Sequence, residues 1–119
     1  MPRPKKYRKV CCMPRAREFT PSVAGDGDVV IMTVEEYETI RLIDRQGFSQ
    51  EECSNYMQVA RTTVQQIYAA ARQKLARALV DGCVLRIEGG DYQLCDGTEY
   101  TCGCGGCHRH RHTEQEETI

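Results

Sequence analysis

A chain of 119 residues with a formal charge of −1 has room for one small domain, and its near-neutral total excludes a polyanion partner held by bulk charge alone. No apolar run is long enough to cross a bilayer and no charged-then-apolar leader opens the chain, so the expected setting is the cytoplasm and no membrane partner is expected. In that reducing setting the eight cysteines are read as thiols or metal thiolates rather than disulfides.

Charge is unevenly distributed. Arg3, Lys5, Lys6, Arg8, Lys9, Arg15 and Arg17 crowd the N-terminus, while the acids concentrate in 26–52 and in the tail. Residues 1–32 are read as a basic arm with short strands: Pro2 and Pro4 disfavour a helix, and Lys5, Lys6 and Lys9 are placed to follow a phosphate backbone or enter a minor groove. A solvated tail that only adds solubility is the competing reading of the arm. Short strands are expected at 8–13 and 29–32, separated by the loop Gly25-Asp26-Gly27-Asp28.

Residues 33–82 carry the main signal. Thr33 with Glu36, and Ser49 with Glu52, have the spacing of reciprocal capping boxes and start helices at 34 and 50. The first, 34–45, is expected to bury one stripe of Val34, Tyr37, Ile40 and Ile43, and the second, about 50–57, turns Cys53, Tyr56 and Met57 inward. After a three-residue turn, Val64, Ile67, Tyr68, Ala71, Leu75 and Leu79 fall at helical spacing over 61–80. That is the shape of a helix-turn-helix with an over-long second helix, which suits a symmetric homodimer.

Alternation in 83–88 and 91–95 around Gly89-Gly90 predicts a β-hairpin, with Val84 opposite Cys95 and Ile87 opposite Tyr92. Two strands alone are marginal, so a third is expected from 8–13 or 29–32. The segment 96–119 is read as a Cys/His-rich and acidic tail, partly disordered, in which Cys102, Cys104, Cys107 and His108 can converge on one ion because glycines separate the thiols. Cys95 is taken as completing the shell, with Cys83 and the Cys11-Cys12 pair as other sources. Zinc is the favoured ion and an iron–sulfur cluster the alternative.

The segments Thr33–Glu38, Arg41–Asp44, Gly47–Glu52, Arg61–Val64, Ala70–Lys74 and Leu85–Gly90, together with Met1–Pro4 and Phe19–Pro21, resemble a family of small predicted DNA-binding proteins of unknown function from bacteria and archaea. More distantly, 33–82 resembles region 4 of bacterial sigma factors. The resemblance implies a sigma-like helix-turn-helix fold; joined to the residue reading above, the expected fold is mainly α, a three-helix sigma-region-4-like domain with a small β-hairpin or sheet, to which the thiol spacing adds a Cys-rich, metal-stapled tail. It also implies a transcriptional regulator and no enzymatic activity, and the residues agree in showing no assembled nucleophile, base and orienting acid and no small-molecule site. Two positions depart from the family pattern: Gln58 stands where the turn usually has Gly, and Ala60 where the second helix usually has a Ser cap.

The expected partner is double-stranded DNA. Arg61 can bond guanine, Gln65 or Gln66 adenine, and Thr62 and Thr63 phosphate, with Arg72, Lys74 and Arg77 adding salt-sensitive affinity. The alternative is a metal-handling or iron–sulfur protein that uses its helices for protein contacts.

Overall fold

The computed structural model describes residues 8–11, 13–23 and 27–94. In chain order it has β1 (Arg8–Val10), β2 (Glu18–Phe19), β3 (Val29–Met32) and α1 (Val34–Thr39), which runs on as a π-helical segment (Ile40–Arg45). Then come α2 (Gln50–Met57), α3 (Arg61–Asp81), β4 (Val84–Ile87) and β5 (Tyr92–Leu94). It is a small α/β domain rather than a mainly α one.

Both capping boxes form. The Thr33 hydroxyl accepts from the Glu36 amide at 3.2 Å while the Glu36 carboxylate accepts from the Thr33 amide at 2.8 Å, and Ser49 with Glu52 repeats the arrangement. These local contacts start α1 and α2 where the sequence places them.

The expected hairpin does not form. β4 is the middle strand of a three-stranded sheet, antiparallel to β2 and parallel to β3, so both of its edges are taken. β5 instead pairs in parallel with β1. Diversion starts at the two glycines: the Gly89 carbonyl accepts from the Val34 amide at the first turn of α1, and the next amide but one, Asp91, donates to the Glu35 carboxylate at 2.8 Å. Gly90 has φ +109, and a Cβ there would overlap Glu35 Oε1, so the chain passes α1 too closely for any side chain. Both strands proposed as a third partner are used, one in each sheet.

Helix α1 is also more deeply enclosed than its apolar stripe suggests. Val34 packs with the sheet and α3, in a core of Val10, Val30, Met32, Ala71, Leu85 and Ile87. On another side Glu35, Glu38 and Thr39 are buried as well, and Leu42 continues this row into a second core with Cys11, Cys53, Tyr56, Met57 and Val64. The helix thus buries two faces, one apolar and one largely carboxylate.

Each buried carboxylate holds a different part of the chain. Glu35 accepts from Arg8 of β1 at 2.7 Å as well as from Asp91. Burial raises its carboxyl above the ordinary range, opposed by the Asp91 amide and the Arg8 charge. Glu36 accepts from Lys74 of α3 at 2.7 Å. Glu38, fully buried, receives both arms of the Arg41 guanidinium at 2.7 and 2.9 Å and the Cys11 amide at 3.0 Å.

Removing the guanidinium strands a buried charge. Arg41→Leu is expected to lower stability in urea denaturation by about 3–5 kcal/mol. Adding Glu38→Gln should recover part of that loss, because the stranded group is then neutral.

Candidate nucleic-acid interface

Helices α2 and α3 meet across Gln58, Val59 and Ala60, the turn length expected from the sequence. Gln58 caps α2 in the left-handed conformation, φ 61 and ψ 44, the only described non-glycine residue with positive φ. Ala60 precedes α3 in an extended conformation and makes no side-chain cap. Val59 is half-buried against the core beneath, and Val64, fully buried, anchors the first turn of α3 to the same core.

With Val64 inward, the opposite side of that turn faces solvent. Arg61, Thr62, Gln65 and Gln66 are exposed and Thr63 is half-buried. Gln65 donates to the Gln50 side chain at 3.2 Å, a link between the starts of α2 and α3. The first turns of α1 and α2 contain acids, Glu35 and Glu36 in one and Glu51 and Glu52 in the other, whereas that of α3 contains none. An uncapped, acid-free helix start presents amide donors and the positive end of the helix dipole to an incoming anion.

The other basic residues divide by what holds them. Arg72 is exposed and its guanidinium lies 5.5 Å from the centre of the Tyr68 ring. The Tyr68 hydroxyl donates to Asp44 at 2.7 Å, and burial together with this carboxylate raises its pKa, so it stays a donor. Lys74 is committed to Glu36, and Arg77 to Asp28 at 3.2 Å, which withdraws both from the free cationic set expected along the helix. Lys9 belongs to β1 rather than to an arm, with its ammonium 4.7 Å from the centre of the Tyr56 ring. Lys5 and Lys6 lie outside the described residues.

So do all the expected metal ligands, Cys95, Cys102, Cys104, Cys107 and His108. Among the described residues no group of three or more His, Cys, Asp or Glu side chains is placed to hold a metal ion. Cys11 and Cys83, considered as further ligands, are buried in different cores. Cys53 is buried beside Met57, its sulfur 3.7 Å from the thioether, and burial pushes its thiol up to about 12. It is a small core residue, as its place on the inner face of α2 suggests.

The structure adds one contact group that sequence reasoning missed, the Asp44–Tyr68–Arg72 array beside the exposed turn. Asp44 and Tyr68 are 24 residues apart, and no local pattern links them. By helical phase alone Tyr68 belongs to the apolar stripe of the helix.

The chain matches the family model described as protein of unknown function DUF134 over residues 1–95. It is similar to a UPF0251 protein of Desulfitobacterium hafniense (strain Y51), 61% identical over 113 residues that cover 93% of this chain and 90% of the relative. A UPF0251 protein of Caldicellulosiruptor bescii is 49% identical over 106 residues, covering 88% and 74%. One from Halothermothrix orenii is 43% identical over 119 aligned residues, covering 93% and 88%. No solved structure matches the chain.

The turn carries two repairable defects. Gln58→Gly should relieve the left-handed backbone, and Ala60→Ser should supply the missing cap, each raising stability by about 1 kcal/mol in chemical denaturation. An unchanged or lowered midpoint for both would contradict the turn geometry described.

Proposed function

The chain belongs to the DUF134 family, whose curated relatives carry the name UPF0251, and from that premise we propose that it is a sequence-specific double-stranded DNA-binding protein that regulates transcription in the cytoplasm. The observation that carries this reading is the first two turns of α3: solvent-facing, uncapped, free of acids, and bearing Arg61, Thr62, Gln65 and Gln66 together. In this reading α2, the turn and α3 act as a helix-turn-helix. α2 braces α3 from behind, and the N-terminal turns of α3 enter the major groove.

The chemistry divides into positioning and reading. The amides of the uncapped start, with the Thr62 and Thr63 hydroxyls, hold phosphate and set the approach. Arg61 offers a planar fork to guanine O6 and N7, and Gln65 or Gln66 offers a donor–acceptor pair to adenine N6 and N7. The Gln65–Gln50 bond holds one of these amides in place before DNA arrives. Arg72, stacked on Tyr68, adds a phosphate contact farther along the helix. Lys5 and Lys6 add charge at the N-terminus, and their contribution is salt-sensitive and carries no sequence information.

Metal binding enters on donor chemistry alone. Cys102, Cys104, Cys107 and His108, with Cys95, suit tetrahedral zinc, and thiolates among glycines suit an iron–sulfur cluster as the alternative. A metal or redox change at these residues would give the DNA-binding domain a signal. Purified protein should contain bound metal, and changing Cys102, Cys104 and Cys107 to Ser should abolish it. Visible absorption separates a cluster from colourless zinc.

DNA binding is tested by gel shift against a duplex selected from random sequence. Affinity should fall steeply with salt, and Arg61→Ala should cost about 1–3 kcal/mol on the selected site with a smaller loss on nonspecific duplex. Affinity indifferent to salt, or an Arg61→Ala protein that binds both duplexes as before, would contradict the reading.

A further inference from the structure

Helix α3 carries two features that the fold itself does not use. Leu79, expected on the inward stripe, and Val80 are 84% and 80% exposed beside an apolar groove lined by Phe19, Leu75 and Leu85. The other feature is a charge, and it points to a ligand. Of the four cations on α3, Lys74 and Arg77 are each held by a carboxylate and Arg61 is exposed at the start. Arg72 has no ion pair among the described residues, yet it is held in place. Its guanidinium lies 5.5 Å from the centre of the Tyr68 ring, and the Tyr68 hydroxyl donates to Asp44 at 2.7 Å. A cation placed by an aromatic face but not neutralised keeps its full charge for an anion.

Its place on the helix says which anion. Arg61, Gln65, Tyr68 and Arg72 follow one another at spacings of four, three and four, so they share one stripe of α3. At the usual rise Arg72 lies about 16 Å beyond Arg61, which exceeds both the roughly 8.5 Å depth and the roughly 12 Å width of a major groove. With Arg61 at the base edges, Arg72 stands at the rim of the groove, where the phosphates are. Asp44 belongs to the π-helical continuation of α1, so the array reaches this rim from outside the two-helix motif.

We propose that Asp44 and Tyr68 are positioning residues for DNA: through the Tyr68 ring they hold the Arg72 guanidinium over the phosphates that flank the bases read by α3. This rests on the DNA-binding reading and adds to it a part played by α1. A free carboxylate here would repel the backbone. Asp44 instead takes the Tyr68 hydroxyl proton on one oxygen, and the Arg72 charge on the same ring offsets its own. What the array supplies is preorganisation, because a side chain already ordered loses less freedom when it binds.

The test is a double-mutant cycle on the full chain, read by gel shift on a duplex selected from random sequence and on a nonspecific duplex, with circular dichroism to check the fold. Arg72→Ala should weaken binding to both duplexes alike and lower the salt slope by about one. Tyr68→Leu leaves every charge in place and should still weaken both alike, by about two- to fivefold. In the Arg72→Ala background it should cost nothing further, which a merely structural role would not produce. Tyr68→Phe keeps the ring and loses only the bond to Asp44, so it should fall between wild type and Tyr68→Leu. Arg61→Ala separates the two claims. If it leaves binding unchanged, or if the wild type binds neither duplex, the DNA-binding reading fails and this proposal with it. If Arg61→Ala weakens binding while Tyr68→Leu does not, or if Tyr68→Leu costs as much with Arg72→Ala as without it, the DNA-binding reading stands and the role given to Asp44 and Tyr68 is overturned.

Discussion

The fold depends on the burial of three carboxylates along six residues of one short helix. Glu is almost never enclosed unless paired, and α1 pairs each of its three with a different element. Glu35 binds Arg8 and the Asp91 amide, Glu36 binds Lys74 of α3 and caps its own helix, and Glu38 binds Arg41 and the Cys11 amide. Since a buried ion pair rarely adds net stability over an apolar replacement, these contacts are better described by what they join: they tie β1, the residue before β5 and α3 to one helix. That constraint also explains why the chain after β4 does not fold back on itself, because the Asp91 amide and the Gly89 carbonyl are already bound at the start of α1.

Placement of α3 is where fold and function meet. Lys74 on Glu36 holds the middle of the helix, Val64 holds its beginning, and Ala71 and Leu75 lie under the sheet. What these anchors leave outside is as informative as what they enclose. At one end is a turn with donors and no acids, at the other a pair of exposed aliphatics beside a groove. The two ends of a helix about 32 Å long are far enough apart for the DNA contact proposed at the first to leave the second clear of it.

Local signals in the sequence were legible. Two capping boxes and a 3.6-residue apolar period placed the starts of all three helices, and Gln58 was visible as a residue in a position that asks for glycine. Strand partners were not. Alternation around Gly89-Gly90 is the pattern of a hairpin, and only contacts with Val34 and Glu35, more than fifty residues earlier, decide otherwise. The buried carboxylates were hidden for a related reason: Glu in a helix is read as solvent-facing, and the partners that reverse that reading, Arg8, Cys11, Lys74 and Asp91, are distant in sequence. The π-helical stretch after Thr39 left no sign in the pattern, and with it went Leu42, which was not on the expected stripe but is fully buried. Among the proposed DNA contacts, exposure of Arg61, Thr62, Gln65 and Gln66 followed from helical phase, whereas the engagement of Lys9, Lys74 and Arg77 by Tyr56, Glu36 and Asp28 depends on tertiary structure.

The central claim is that the carboxylate-held helix α3 meets duplex DNA through its first two turns. Amide chemical shifts of isotopically labelled protein, followed while a selected duplex is titrated in, test it residue by residue. The largest changes should fall on Arg61, Thr62, Thr63, Gln65 and Gln66, with β4 and the start of α1 unmoved. Changes absent from 61–66, or concentrated on a different face of the domain, would contradict it.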